Sequence, residues 1–318
     1  MVVVGGVTRL THSGLSIVEW QPLVGALPPF TDADWQSLFA KYRETPEFKL
    51  VNFDMGLAGF QRIFWWEYFH RLLGRLIGAV FALPFLWLVL RRRVDASLAW
   101  KLGAVFALGA LQGGLGWYMV KSGLIDNPRV SHFRLTAHLG MALAIFAAEL
   151  WIALDLLAPR SAGPLAAPAR RALALAALVF VMCLTGGFVA GLHAGFAYNT
   201  FPLMNGRFAP PEIMLLEPWW TNFLYNMATV QFTHRAIAWL LIFLVPFFWW
   251  HARRATPDAR ARLATHALLA VLALQITLGV STLLLVVPIP LAAAHQAGAV
   301  LLLAATLWAA HEHARAHG

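Results

Sequence analysis

The sequence predicts an all-α polytopic membrane protein with eight transmembrane helices in two repeated halves. Composition is the first reason, because 60% of the 318 residues are hydrophobic and only 12% are charged. A soluble domain carries about twice that charged fraction, so a water-soluble enzyme, a disordered chain and a coiled coil are excluded. The other two reasons are the apolar runs along the chain and an internal repeat.

Seven apolar runs are each long enough to cross about 30 Å of hydrocarbon. They cover approximately residues 67–90, 98–120, 134–157, 170–192, 231–250, 264–286 and 289–310. The opening MVVVGGV is too short to span a bilayer, yet it leads directly into a polar segment as the end of a span would. We therefore expect an eighth, first helix that is truncated at its N-terminus, with an interfacial or disordered N-terminus as the alternative.

The positive charges predict the orientation. Loops 91–101, 158–171 and 251–263 carry four, three and four Lys or Arg residues, whereas the connection at 287–291 carries none. Short loops rich in Lys and Arg lie on the cytoplasmic side. The net charge of +9 thus reflects membrane orientation, and we expect no nucleic-acid partner. In a bacterium the chain would lie in the inner membrane.

The long outer segment 10–63 contains a predicted amphipathic helix. It begins with Thr31 and Asp34 in the spacing of a capping box. Its apolar residues follow at helical intervals, and they are Trp35, Leu38, Phe39 and Tyr42. Such a helix lies on the membrane or on the helix bundle, or packs on its own loop.

Four sequence matches recur in the same order and divide the chain into two similar halves. The first-half motifs are Gly5-Gly6 with His12, Glu67 with His70-Arg71, Leu111-Gln112 with Gly116, and His138. Their second-half partners are Gly186-Gly187 with His193, Gln231 with His234-Arg235, Leu274-Gln275 with Gly279, and His295. We expect a parallel repeat with halves at 1–157 and 170–310, joined by a cytoplasmic linker at 158–169.

Four of the twelve histidines lie a few residues inside helices that run inward from the outer face. They are His70, His138, His234 and His295. Polar residues inside a bilayer are costly and mark functional sites. Two facing neutral imidazoles per half suit axial ligation of haem iron, whereas hydrogen bonding to a neighbouring helix is the simpler alternative. Zinc is disfavoured because Cys183 is the only cysteine.

Small residues follow the histidines at helical spacing, such as Gly74 and Gly78 after His70 and Gly298 after His295. They indicate a slot for a flat macrocycle, although close helix packing also needs small residues. Arg71 and Arg235 directly follow their histidines. Their guanidinium groups would pair with haem propionates or extend to lipid headgroups.

The halves differ at Glu67, which lies three residues before His70 and shares its helical face. Its second-half counterpart is Gln231, which cannot ionise. A carboxylate near only one of two haem sites would act as a general acid or base, or would stabilise a developing cation. An interfacial ion pair with Arg71 is the alternative. We infer one resident haem and one site that processes a haem-like substrate.

At these residues the sequence resembles haem A synthase over nearly its whole length, and most closely the alphaproteobacterial and mitochondrial branch. The resemblance is carried by GGVTRLTHSGLSIVEW (5–20), EYFHRLLGRLIG (67–78), HAGFAYNTFPLMNGRF (193–208), QFTHRAIAW (231–239) and AAAHQAGAVLL (292–302). It implies two pseudo-symmetric four-helix bundles of transmembrane helices. Some members carry a cysteine pair in an outer loop, which this chain does not have.

The resemblance also implies the activity: oxidation of the C8 methyl group of haem O to a formyl group by two hydroxylations and loss of water, giving haem A for cytochrome oxidase. By this analogy His234 and His295, with Arg235, bind haem b near the periplasmic side. His70 and His138, with Arg71, receive haem O, and Glu67 is catalytic. The family role implies haem O synthase and oxidase assembly factors as partners, together with an electron donor that no motif identifies.

Two other functions fit the residues alone. One is a two-haem membrane electron-transfer protein without haem-modifying activity, which would hold haem b on both histidine pairs. The other is a haem transporter or chaperone, which would hold haem loosely and need no redox partner.

Overall fold

A computed structural model describes residues 1–21, 24–125, 128–160 and 163–316. In these ranges the chain forms helices and no strand. The α-helices are α1 (Val2–Leu10), α2 (Asp32–Arg43), α3 (Pro46–Leu50), α4 (Leu57–Leu90), α5 (Ala96–Lys121), α6 (His132–Leu157), α7 (Ala167–Gly191), α8 (Asn222–Tyr225), α9 (Met227–Ala255), α10 (Ala259–Leu284) and α11 (Ile289–Ala316).

Seven of the described helices are long and apolar enough to cross a membrane, which confirms the seven predicted runs. They are α4, α5, α6, α7, α9, α10 and α11. Several are longer than their apolar runs, and the largest difference is in α4, which begins at Leu57 rather than near residue 67. The extra outer turns of α4 pack on α2, so their sequence does not have the continuous apolarity of a lipid-facing run.

The predicted amphipathic helix is α2, and its capping box is present. The Thr31 hydroxyl accepts from the Asp34 amide while the Asp34 carboxylate accepts from the Thr31 amide. This helix packs on the outer end of α4 through aromatic rings. The rings of Tyr42 and Phe60 lie 5.2 Å apart between centroids, and both side chains are fully buried. Helix α2 is therefore packed firmly on the N-terminal end of α4.

The chain divides into two compact units, Met1–Met141 and Ala142–Gly318. We call these the first unit and the second unit. The division falls inside α6, whereas the sequence placed the end of the first half at residue 157. In the first unit, α4 is the central helix and contacts α1, α2 and α5.

The second unit contains four long helices that contact one another in a closed ring. Helix α7 packs against α9 and α11, and α10 also packs against both α9 and α11. Each helix therefore has two neighbours, which is the arrangement of a four-helix bundle.

The ends of α1 and α7 show that the sequence repeat is also a repeat of backbone conformation. His12 follows α1 and His193 follows α7, and both are left-handed, with φ of 52° and 58°. Few residues other than glycine adopt this conformation. The same unusual backbone at both matched positions supports a structural repeat of the helix and the loop that follows it.

Candidate functional site

In the first unit, the two predicted histidines each face a glycine on another helix. A Cβ atom placed on Gly5 of α1 would lie 2.9 Å from Cε1 of His70 on α4. A Cβ atom on Gly116 of α5 would lie 2.9 Å from Cε1 of His138 on α6. Both contacts are closer than a real Cβ atom tolerates, so each imidazole packs directly on bare helix backbone.

The second unit repeats this arrangement with its own histidines. A Cβ atom on Gly186 of α7 would lie 3.2 Å from Cε1 of His234 on α9. A Cβ atom on Gly279 of α10 would lie 2.8 Å from Cε1 of His295 on α11. All four histidines therefore pack against a facing glycine, and at Gly5, Gly116 and Gly279 a Cβ atom would force the imidazole to shift.

The small residues that were expected to form a slot lie on the helices of the histidines, and the facing glycines had no predicted role. The sequence repeat does mark these glycines, because Gly5 matches Gly186 and Gly116 matches Gly279. Gly78 was expected to line the slot, and a Cβ atom placed on it would meet no other atom within 4 Å. Gly298 instead admits the side chain of Gln275 from the neighbouring helix, which is close helix packing.

Two glutamines hold the backbone at the histidines of α6 and α11. Nε2 of Gln112 donates to the His138 carbonyl oxygen at 3.0 Å, and Nε2 of Gln275 donates to the His295 carbonyl oxygen at 3.0 Å. Sequence analysis found both glutamines in the repeat but assigned them no function. They join neighbouring helices at the level of the histidines.

The structure brings the histidines together as two pairs. His70 and His138 are near enough to interact electrostatically, and so are His234 and His295. The Nδ1 atoms of His70, His138 and His295 are buried without a hydrogen-bond partner, so helix-to-helix hydrogen bonding through Nδ1 does not explain these three side chains. Buried polar atoms without a partner among the described residues are rare in folded proteins, so simple helix packing does not account for these side chains.

A bis-histidine haem fits this donor set. A neutral imidazole offers one nitrogen to a metal, and a pair of imidazoles supplies the two axial ligands of a haem iron. Within the described ranges no three His, Cys, Asp or Glu side chains cluster as a metal-ion site. The porphyrin itself would supply the remaining four ligands, so two histidines per site suffice.

Glu67 is 2% exposed and both of its carboxylate oxygens are hydrogen-bonded. Oε2 accepts from the Ser16 hydroxyl at 2.7 Å and from the Ile17 amide at 2.8 Å. Oε1 accepts from Nη2 and Nε of Arg71 at 2.6 and 3.1 Å. The ion pair with Arg71 that the sequence suggested is present, and it is buried. Four donated hydrogen bonds therefore converge on one buried carboxylate.

Arg71 also holds the first outer loop against α4. Its Nη2 donates to the Ile17 carbonyl oxygen at 2.8 Å, and its Nη1 donates to the Glu19 carbonyl oxygen at 3.1 Å. This use of the guanidinium was not predicted, because backbone carbonyl groups leave no signal in a sequence pattern.

Arg235 makes the matching contacts in the second unit. It donates to the carbonyl oxygens of Tyr198 at 2.6 Å and Thr200 at 2.8 Å. The difference lies at Gln231, whose Nε2 donates to the Ala194 carbonyl oxygen at 2.8 Å. Glu67 accepts from its loop, whereas Gln231 donates to its loop. The two sites thus share one scaffold and differ in charge.

The chain is similar to known proteins over nearly its whole length. The family COX15-CtaA, described as cytochrome oxidase assembly protein, matches residues 1–307. A protein named Heme A synthase from Nitrosospira multiformis is 62% identical over 317 residues, which cover 98% of this chain and 89% of the relative.

Further relatives carry the same name. One from Nitrosomonas eutropha is 56% identical over 313 residues, covering 97% of this chain and 88% of its own. Another, from Parvibaculum lavamentivorans, is 50% identical over 318 residues, covering 99% of this chain and 90% of its own. The chain therefore belongs to the COX15-CtaA family of cytochrome oxidase assembly proteins.

Proposed function

We propose that this chain is a haem A synthase, an oxidoreductase that converts the C8 methyl group of haem O into the formyl group of haem A. Relatives that share about half or more of its residues over nearly its full length carry that name. The observation that carries the proposal is the asymmetry between two repeated histidine-pair sites. Only the first unit places a carboxylate, Glu67, where the second unit has Gln231.

We infer that the two sites have different occupants. His234 and His295 would hold haem b as a resident cofactor. Arg235 would keep the neighbouring loop in place through its hydrogen bonds to loop carbonyl oxygens. His70 and His138, with Arg71 in the matching position, would receive haem O as substrate and release haem A. Contacts of the two arginines with haem propionates stay predictions. Both guanidinium groups already donate to loop carbonyl oxygens, so only their other N–H groups would be available to a propionate.

When bound, the haem irons supply one-electron redox chemistry, and the protein supplies position and charge. The geometry favours Glu67 as a fixed anion that stabilises positive charge developing at the substrate methyl carbon. Four donors already engage its two oxygens. To accept a proton at Oε2, the carboxylate must first lose its bond to Ser16 or Ile17.

The finer architecture is part of this proposal. We infer eight spans, with α1 belonging to the first, in two pseudo-symmetric four-helix bundles that correspond to residues 1–157 and 170–310, joined by 158–169. The contact of α1 with α4 resembles the contact of α7 with α9. The sites would lie near the periplasmic side of the bacterial inner membrane. Haem O synthase, oxidase assembly factors and an electron donor would be the partners.

The test is to express the full chain in a bacterium that makes haem O but no haem A, and to identify extracted haems by mass spectrometry. We expect haem A with the unchanged chain and haem O without haem A in Glu67→Gln. The matched variant Gln231→Glu should still make haem A, which shows that the effect belongs to the first unit.

Haem b alone on both histidine pairs, with no haem A under any condition, would contradict the proposal and would favour an electron carrier. Loosely held haem that is lost on purification, again with no haem A, would favour a transporter.

A further inference from the structure

The four histidines of the site differ in the hydrogen bonding of one ring nitrogen, Nδ1. His70, His138 and His295 have no hydrogen-bond partner at this atom. The Nδ1 atom of His234 lies 2.9 Å from the hydroxyl oxygen of Thr185 on α7. One residue therefore distinguishes the second-unit ligand His234 from the other three.

The direction of this hydrogen bond follows from counting donors. The Thr185 hydroxyl has one proton, and it donates that proton to the Met182 carbonyl oxygen at 2.8 Å. Its oxygen is therefore an acceptor toward His234, so Nδ1 of His234 carries the ring proton. In a neutral imidazole with a proton on Nδ1, Nε2 has a free lone pair.

In the first unit, the position that matches Thr185 carries no hydroxyl group. Thr185 immediately precedes Gly186, the glycine that faces His234. The residue that precedes Gly5, which faces His70, is Val4. Valine has nearly the shape of threonine but no hydrogen-bonding group, so the matching ring in the first unit is not fixed in this way.

We propose that Thr185 is a positioning residue that holds His234 as the Nδ1-protonated tautomer and makes the second unit the retaining haem site, whereas Val4 leaves His70 suited to a haem that must enter and leave. The inference deepens the proposed function and rests on its assignment of His234 as a haem ligand. A hydrogen bond at the far nitrogen orients a ligating histidine and raises its basicity. Such a bond slows ligand loss from a resident cofactor and would hinder release of a product.

The test measures haem release from the purified full chain to excess apomyoglobin. To isolate the second unit, His70 and His138 are both changed to alanine. In that background we expect Thr185→Val to release haem at least about tenfold faster. Thr185→Ser should restore slow release, because serine supplies the same hydroxyl. The low-spin ferric electron paramagnetic resonance signal should shift in the valine variant and return in the serine variant.

The reciprocal variant tests the first unit. With His234 and His295 changed to alanine, Val4→Thr should slow the release of haem from His70 and His138 by a similar factor. Valine and threonine are nearly isosteric, so neither exchange alters packing by volume.

The outcomes separate the two levels of the inference. Haem that survives both His234→Ala and His295→Ala in the second unit would overturn the proposed ligand assignment and this inference with it. Haem that depends on both histidines, but is released at an unchanged rate and with an unchanged resonance signal in Thr185→Val, would overturn only the role of Thr185.

Discussion

The two units carry the same scaffold around their histidines and differ in a few polar groups. Each histidine packs on a facing glycine, and in each unit one arginine holds an outer loop by its backbone carbonyl groups. Glu67 in the first unit corresponds to Gln231 in the second, and its partner Ser16 corresponds to Ala197 in the repeat. Val4 in the first unit corresponds to Thr185 in the second. Under the proposed function, the shared parts would bind flat cofactors, and the differences would assign one unit to chemistry and the other to retention.

The largest expected effect removes the charge difference between the units. Glu67→Gln makes the first unit resemble the second, and we expect conversion of haem O to fall by about 10² or more. The second-unit haem should remain at full occupancy, because Glu67 makes no contact there. Haem A yield and the haem b spectrum of the same preparation measure both quantities. Unchanged conversion would remove Glu67 from the mechanism.

The next effect concerns a feature that the units share. Gly116→Ala should weaken haem O binding about tenfold or more, because the new Cβ would displace the His138 ring that the iron requires. Gly279→Ala should do the same to haem b at His295. Titration of each haem into the purified protein measures the affinities.

The matched control for these glycine variants is Gly113→Ala, on the same helix as Gly116. A Cβ at Gly113 meets nothing within 4 Å. An equal loss of haem affinity in Gly113→Ala and Gly116→Ala would show that the facing glycine has no special role.

A smaller effect is expected at Ser16, whose hydroxyl donates to Glu67 at 2.7 Å. Ser16→Ala removes one of four donors from the carboxylate, and we expect conversion to fall about tenfold while haem O still binds. Ser13→Ala is the control, because Ser13 is also fully buried in this loop but bonds to Thr11. Similar kinetics in the two variants would contradict a positioning role for Ser16.

The smallest expected effect concerns the stability of the segment that contains α2 and α3. It depends on Glu47 in α3, a residue that is only 5% exposed. Burial, followed by the negative charge of Glu67, raises the pKa of Glu47 from 4.5 to about 8. The folded loop therefore holds a proton that the unfolded chain releases. Loop stability should fall as pH rises from about 4.5 to about 8, by on the order of a few kcal/mol, and then level off.

Thermal melts followed by tryptophan fluorescence at pH 5 and pH 8.5 measure this dependence on pH. Glu47→Gln should abolish most of the difference between the two melting temperatures. Glu44→Gln, at an exposed position in the same loop, should leave the difference in place. A melt of the unchanged chain that is independent of pH would show that Glu47 is ionised in the folded loop.

Apolar runs were sufficient to predict the seven long helices, and a capping box with helical spacing predicted α2. The repeat singled out the four histidines and Glu67, whose roles stay predictions. These features can be recognised from the type and spacing of the side chains alone. The partners of Glu67 were not predicted, because Ser16 and Ile17 reach it from 51 and 50 residues away in the chain. The outer start of α4 was also missed, since its aromatic residues pack on α2 rather than face lipid.

The roles of Gly116 and Gln112 were within reach of the sequence. Both recur in the second half, and neither has an obvious local purpose in a transmembrane helix. Their function became visible only when the structure placed His138 against one and its carbonyl oxygen against the other.

The central claim is that each unit holds its own haem on its own histidine pair, and the most direct measurement is haem identity in matched histidine variants. Haems extracted from His138→Ala and His295→Ala would be identified side by side, after expression with a supply of haem O. The account predicts that His138→Ala keeps haem b but has neither haem O nor haem A, and that His295→Ala loses haem b but keeps haem O. Equal loss of the same haems in both variants would contradict it.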